Sequence, residues 1–277
     1  MIQLEDSNKI IKKFEKVIKA PLKGAGKTLY TGIDLGTAYI VLAVLDENKN
    51  PVCGAYQAAD VVKDGMVVDY MGAVRIVKKL KADLEEKIGQ ELYLAGVAIP
   101  PGTENIDGGV VKNVAEAAGF EVIKVLDEPT AANMILKIQD GAVVDIGGGT
   151  TGISVIKKGK VVKVMDEASG GRHFSLVIAG AQKISIEEAE KMKQDFSLHK
   201  EIFPLVQPVI KKIISIIQKA LEGYDVDELV LVGGTALLTG IETFVEKETG
   251  LKTSKPSNPM FVTPLGIAAA LIEGEKE

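Results

Sequence analysis

The chain has 277 residues, 46% of them hydrophobic, enough to bury a substantial core as one large domain or two modest ones. Its net charge of −5 is unevenly placed. Residues 1–28 hold seven lysines against three acids, so a basic arm precedes an acidic body, and an acidic body without Trp argues against nucleic-acid binding, which draws on clustered Lys and Arg. A single cysteine, Cys53, excludes an intrachain disulfide and a thiolate metal cluster. No apolar run approaches the roughly 20 residues of a membrane span, and residues 1–27 lack the continuous apolar stretch of a signal peptide, so a cytoplasmic protein is expected.

Residues 8–20 place Ile10, Ile11, Phe14, Val17 and Ile18 at helical spacing with lysines opposite, and Pro21, Gly24 and Gly26 then interrupt the pattern. This predicts an amphipathic helix on a flexible tether, a candidate docking element for a partner protein or for the chain's own body. From Leu29 to about Val52 the pattern is strand, turn, strand. A helix follows near 72–88 with Val77, Leu80, Leu84 and Ile88 on one stripe. Leu92–Ile99 reads as a buried strand ending at the turn Pro100-Pro101-Gly102, and a helix near 107–118 leads to the strand Val122–Leu126. Asp127-Glu128-Pro129 then signals a helix start, since Pro suits the first turn. Ser185–Glu188 is a capping box opening another helix. A wide apolar stripe marks a long helix near 204–222, and the strand Glu228–Val232 ends in Gly233-Gly234 before a helix around 240–248. Strands alternating with helices predict α/β layers with parallel strands, whose ligands lie beyond the carboxyl ends.

One unit occurs twice. Thr31-Gly-Ile-Asp-Leu-Gly-Thr37 and Val143-Val-Asp-Ile-Gly-Gly-Gly-Thr-Thr151 each run strand, Asp, glycine turn, strand, with Ile40–Val44 and Ile153–Ile156 as the second strands. Glycines let backbone N–H groups approach phosphate oxygens, while Asp34 and Asp145 can hold a hydrated Mg²⁺ against the same phosphates. A lone glycine turn is usually just a tight hairpin, and the duplication is what argues otherwise. His173 and Ser175 lack a third partner and a G-x-S-x-G elbow, which predicts surface or turn roles. His199 reads as a polar residue at a helix end and Cys53 as a small buried apolar one.

With these motifs in place the chain resembles the actin and heat-shock chaperone ATPase superfamily over residues 29–272. Gly32–Thr37 resembles its first phosphate loop, Asp145–Thr151 its second and Leu229–Gly234 its adenosine loop; Glu128–Ala132 and Pro264–Ala270 resemble its two connecting helices. The segments 61–70, 100–103, 126–131 and 145–153 are further similar to chaperone-like proteins of ethanolamine utilisation, a family associated with bacterial microcompartments. The resemblance implies two duplicated ribonuclease-H-like α/β lobes with a nucleotide cleft between them: residues 29–140 as lobe I, with a small insertion at about 54–93, and residues 141–277 as lobe II, whose last helix at about 264–272 returns to lobe I. It also implies ATP or ADP with Mg²⁺. Asp34 and Asp145 match the Mg²⁺-water ligands. Gly36, Thr37, Gly147, Gly148, Gly149, Thr150 and Thr151 match the phosphate cradles, and Glu128 the acid that acts on the attacking water. Gly170 and Gly171 match the turn near the ribose and phosphates, Glu190 and Lys193 the helix touching the ribose, and Gly233 and Gly234 the adenine turn.

Three departures stand out. Gly152 replaces an acid that DnaK-type chaperones carry after the threonine pair, the short insertion offers no counterpart to their phosphate-contacting lysine, and no separate peptide-binding domain is expected. A slow ATPase is implied, with a protein client such as an ethanolamine-processing enzyme or a shell protein. A filament or scaffold protein similar to MreB or FtsA, and a small-molecule kinase, are the alternatives.

Overall fold

The computed structural model describes residues 2–63, 65–99 and 108–274. The predicted turn at 100–102, the start of the helix near 107 and Asp64 lie outside the described residues. The chain forms two compact units, one of residues 3–137 and 261–277 and one of residues 1–2 and 138–260.

The first unit is a five-stranded sheet in the order β3-β2-β1-β6-β7, from β1 (Leu29–Leu35), β2 (Tyr39–Asp46), β3 (Pro51–Ala58), β6 (Leu94–Ile99) and β7 (Glu121–Asp127). A small ladder of β4 (Val62–Lys63) and β5 (Met66–Val67) precedes β6. β1, β6 and β7 run parallel and β1–β2–β3 antiparallel. Successive residues of a strand face opposite ways. Ile33, Leu35, Ile40, Leu42 and Val44 therefore share a core with the predicted stripe Val77, Leu80, Leu84 and Ile88 of α2 (Tyr70–Ile88) and with Val111 and Val114 of α3 (Gly108–Ala117). On the alternate positions α9 (Val262–Gly274) crosses β1 so closely that a Cβ on Gly32 would collide with the Pro264 carbonyl. A Cβ on Gly266 would likewise strike the Ala131 carbonyl of α4 (Glu128–Leu136). Backbones approach here because no side chain separates them.

Of the two seats expected for the N-terminal helix, the structure shows the chain's own body. α1 (Glu5–Lys19) lies on β3, with Ile11, Phe14 and Val17 buried and Ile10 and Ile18 half-buried. The Phe14 ring fills the notch left by Gly54 and meets Phe261 edge-on at 5.1 Å. Ser7 donates from its buried hydroxyl to the Ile135 carbonyl at 2.9 Å. The apolar stripe is thus consumed by the chain's own sheet, because the notch at Gly54 offers Phe14 a fitted cavity that periodicity could not reveal.

The second unit repeats the plan. Its sheet runs β10-β9-β8-β11-β12, from β8 (Gly141–Ile146), β9 (Thr151–Lys157), β10 (Lys160–Glu167), β11 (Glu228–Val232) and β12 (Lys252–Ser254). Again the first three strands are antiparallel and the last two extend them in parallel. Val144, Ile146, Ile153 and Val155 pack with Phe174 and Ile178 of α5 (Gly171–Gln182) and with Ile202, Val206, Ile210 and Ile213 of α7 (His199–Leu221). α7 begins five residues before Pro204, where the sequence reading started it. α6 (Ile186–Gln194) opens on the predicted capping box, Ser185 and Glu188 each accepting from the other's N–H. α8 (Ile241–Thr249) follows β11 and packs Val245 into the same core. β10, β12 and α5 had not been read from the sequence, and of β3 only a strand-like run at 52–54.

Candidate functional site

In the second unit most of the singled-out residues meet at the carboxyl edge of the sheet. Asp145 stands near the end of β8, paired with Val232 of the parallel β11 and with Gly152 of β9. It is half-buried, and desolvation, reinforced by the charge of Asp166, pushes its pKa up to about 6. Gly233 has φ of +86°, and a Cβ there would collide with the Asp145 carboxylate and with the Ile146 carbonyl, which makes glycine a requirement of the site and of the backbone alike. Gly234 adds no such crowding.

The 147–150 turn is closed by the Gly147 N–H donating to the Thr150 carbonyl at 3.0 Å. Among the described residues no acceptor is found for the N–H groups of Gly148 and Gly149. Open N–H groups on a side-chain-free turn form a concave anion-binding surface. The turn is braced from two sides. Thr235 donates its hydroxyl to the Gly147 carbonyl at 2.8 Å, and the first N–H groups of α5, from Gly171 and Arg172, donate to the carbonyls of Gly147 and Gly148 at 2.9 and 2.8 Å. A Cβ on Gly170 would come within 2.8 Å of the Gly147 carbonyl oxygen. Gly170 and Gly171 therefore act on the turn itself: the Gly171 N–H is occupied by Gly147 and is not open to a ligand.

Thr151, fully buried, donates its hydroxyl to the Ser169 carbonyl at 2.5 Å. The Ser169 hydroxyl, also fully buried, has no hydrogen-bond partner among the described residues. Behind the α5 terminus, Lys193 donates to the Gly171 carbonyl at 3.1 Å and to Glu190 at 2.5 Å, while Ser175 donates to Glu190 at 2.6 Å. Desolvation raises the Glu190 pKa, but the Lys193 charge and hydrogen bonds from Lys193, Ser175 and Gln194 outweigh it and leave the carboxyl below its usual value. Ser175 is buried, contrary to the surface or turn role expected of it, because its hydroxyl completes this ion pair. His173 accepts the Gly170 N–H at 3.4 Å, and His199 is buried at the start of α7, bonded to Thr239. Thr235, Ser169 and Ser175 were missed as site residues. No local pattern marks them, since their partners lie 88, 18 and 15 residues away in the chain.

In the first unit, Asp34 is paired with Val41 near the end of β1, and Gly36 and Thr37 lie in the turn to β2. Among the described residues their N–H groups likewise find no acceptor. Glu128 opens α4 directly after β7, where Asp127 caps the helix by accepting from the Thr130 N–H at 2.8 Å. Asp34 and Glu128 thus stand on one sheet edge with only β6 between their strands.

Among the described residues no three His, Cys, Asp or Glu side chains gather to hold a metal. Mg²⁺ does not need such a cage, because it keeps several waters and binds through one or two carboxylates plus substrate phosphates. An acidic oxygen at Asp145, a turn with open N–H groups against which Gly170 packs without a side chain, and an orphaned Ser169 hydroxyl fit a hydrated Mg²⁺ on a phosphate ester.

Twin sheets of this order, each ending in an Asp–Gly turn, define the actin and heat-shock chaperone ATPase fold. The MreB 5 protein of Spiroplasma citri bound to AMPPNP superposes with a TM-score of 0.74 at 18% identity, covering 90% of this chain and 97% of that one, a likeness of fold. Residues 111–264 match the family model described as type IV pilus assembly protein PilM. The ethanolamine utilization protein EutJ of Escherichia coli (strain K12) is 44% identical over 243 residues, 87% of this chain and 86% of that protein. The crystal structure of the ethanolamine utilization protein EutJ from Carboxydothermus hydrogenoformans superposes with a TM-score of 0.91 at 46% identity, covering 95% of this chain and 97% of that one. The chain belongs to the EutJ family of ethanolamine utilization proteins. Among the described residues no helix is long and apolar enough to cross a membrane.

Proposed function

We propose that this protein binds ATP or ADP with Mg²⁺ and uses the nucleotide state to control its grip on a protein client of ethanolamine utilization, either an ethanolamine-processing enzyme or a microcompartment shell protein. The observation that carries the nucleotide part is the 147–150 turn, with its open N–H groups held against Asp145 by Thr235, Gly170 and Gly171. Bound Mg²⁺ would screen the phosphate charge. Asp145 would hold its waters, the turn would take phosphate oxygens, and Glu190 with Lys193 would meet the ribose. Asp34, Gly36 and Thr37 are assigned the matching tasks on their own sheet edge, and Glu128 the positioning of an attacking water. The chaperone-like part rests on EutJ family membership and on the fold.

Ligand that binds only the folded state raises the melting temperature, by about 2.7 kcal/mol of stability at 100 times Kd. ADP and ATP with Mg²⁺ are therefore expected to raise melting in wild type, and Asp145→Ala to remove the metal-dependent part. An unshifted wild type would overturn the nucleotide reading. Phosphate release is expected to be slower than the roughly 1–100 s⁻¹ of kinases, with Glu128→Ala lowering it more than it lowers affinity. The client part is tested separately by titrating ethanolamine-processing enzymes and shell proteins with ATP, with ADP and with neither. Linkage requires client and nucleotide to change each other's affinity by one factor, so equal client affinity in all three states would remove the switch.

A further inference from the structure

One row of residues crosses three strands where the second unit's sheet meets its glycine turn. Asp145 on β8 is paired with Gly152 on β9, and Gly152 with Asp166 on β10. Directly opposed residues of antiparallel strands send their side chains to the same face, so Asp145 and Asp166 share a face with only a glycine between them. A Cβ built on Gly152 would lie 3.7 Å from Asp166 Oδ1, which puts that carboxylate over the glycine and not away from the row. The fold does not demand this acid. The same row in the first unit reads Asp34, Val41, Tyr56, with an aliphatic and an aromatic side chain where the second unit has glycine and Asp166. The orphaned Ser169 hydroxyl sits in the short loop leaving β10, three residues beyond Asp166.

We propose that Asp166 is a positioning residue for the hydrated divalent cation of this site, accepting a hydrogen bond from one of the waters that Asp145 also engages. The two Cα atoms lie two strand spacings apart, about 10 Å, a gap that a cation retaining several of its waters can span. Gly152 places no side chain between the two carboxylates, so Asp166 is the acid that supplies the row's second carboxylate in this chain. This inference rests on the nucleotide reading above and deepens it by assigning the metal's outer ligands to one unit's own sheet.

Thermal unfolding with ADP, first in EDTA and then across a Mg²⁺ titration, tests it in the full chain. Asp166→Asn is expected to keep the shift given by ADP without metal and to need about tenfold more Mg²⁺ for half of the additional shift, the size of effect typical for outer-shell partners of a metal. Gly152→Asp combined with Asp166→Asn returns a carboxylate to the same row and is expected to recover most of that loss. Should Asp166→Asn melt too low without ligand to be titrated, Asp166→Glu, which keeps the charge and displaces it, takes its place and is expected to shift the Mg²⁺ midpoint in the same direction. A Mg²⁺ midpoint unchanged from wild type in the readable variant overturns the role of Asp166 while leaving the nucleotide site standing. A wild type that shifts with neither ADP nor Mg-ADP overturns the underlying reading instead.

Discussion

The two units share one strand order and one strand–Asp–glycine–strand device, yet they surround it with different physics. In the unit that carries Asp34, the glycines that matter serve backbone packing: Gly32 lets α9 onto β1, Gly266 lets α9 onto α4, and Gly54 admits the Phe14 ring. In the unit that carries Asp145, glycines serve the turn and its carboxylate: Gly170 lies on the 147–149 backbone, Gly233 on Asp145, and Gly152 faces Asp166. The same residue type thus answers two needs, close packing in one copy and polar assembly in the other. The lesson is that a duplicated motif can be built into its surroundings by different packing in each copy.

If that contrast is right, the first unit should break by packing and the second by charge. The largest effect is expected from Phe14→Ala, which removes a fully buried ring and should cost about 3–5 kcal/mol in urea unfolding. A loss below about 1 kcal/mol would instead mark α1 as a detachable arm. Gly32→Ala comes next, at about 3 kcal/mol, because the added methyl meets the rigid Pro264 carbonyl, whereas Gly152→Ala, whose nearest neighbour lies at 3.7 Å, should stay within about 1 kcal/mol. Equal costs at the two positions would erase the distinction between the units.

The charge side of the comparison is read from pH. Asp145 has its folded pKa raised to about 6 from 3.8, so the folded state holds this proton more tightly than the unfolded chain. Stability from this group is present below pH 3.8 and is lost as pH rises through about 6, a loss of about 3 kcal/mol at 1.36 kcal/mol per unit. Asp145→Asn should therefore flatten that fall and be the more stable protein at pH 7 without ligand. Glu190 has the opposite sign. Its folded pKa is lowered, so its contribution is present above 4.5 and is lost as pH falls through the folded value, and Glu190→Gln should weaken the protein at neutral pH while sparing it in acid. Melting temperatures measured from pH 3 to 8 on the two variants should move in contrary directions. The smallest effect concerns Cys53, whose thiol is pushed up to about 12 by burial in the first unit's core, with Lys87 opposing weakly. Native protein should resist alkylation at pH 8, and labelling should appear only on unfolding.

Much of this was legible in the residues. The two Asp–glycine turns, the Gly233-Gly234 turn, the α2 stripe and the Ser185 capping box are local patterns whose physics is complete within about ten residues, and each appears where its spacing predicts. β10 was not legible, because it is the outermost strand of its sheet and carries mixed polar and apolar residues in place of a clean alternation, and of β3, also outermost, only a strand-like run at 52–54 showed. The seat of α1 was equally hidden, since an amphipathic stripe specifies that a face is buried and not which surface buries it.

What the sequence determined by itself was therefore the repeated device and its chemistry: carboxylates at strand ends, glycines able to open N–H groups toward phosphate, and alternating elements that force a sheet with its ligand edge at the carboxyl ends. Only the tertiary structure decided which glycines pack on the turn and its carboxylate and which on a helix, that Thr235 and Gly171 both hold the Gly147 carbonyl, and that Asp166 stands in one row with Asp145. Those facts depend on strand order, register and loop packing among residues that lie 21 to 88 positions apart in the chain. Side-chain spacing along a single element carries no information about which distant element will lie beside it.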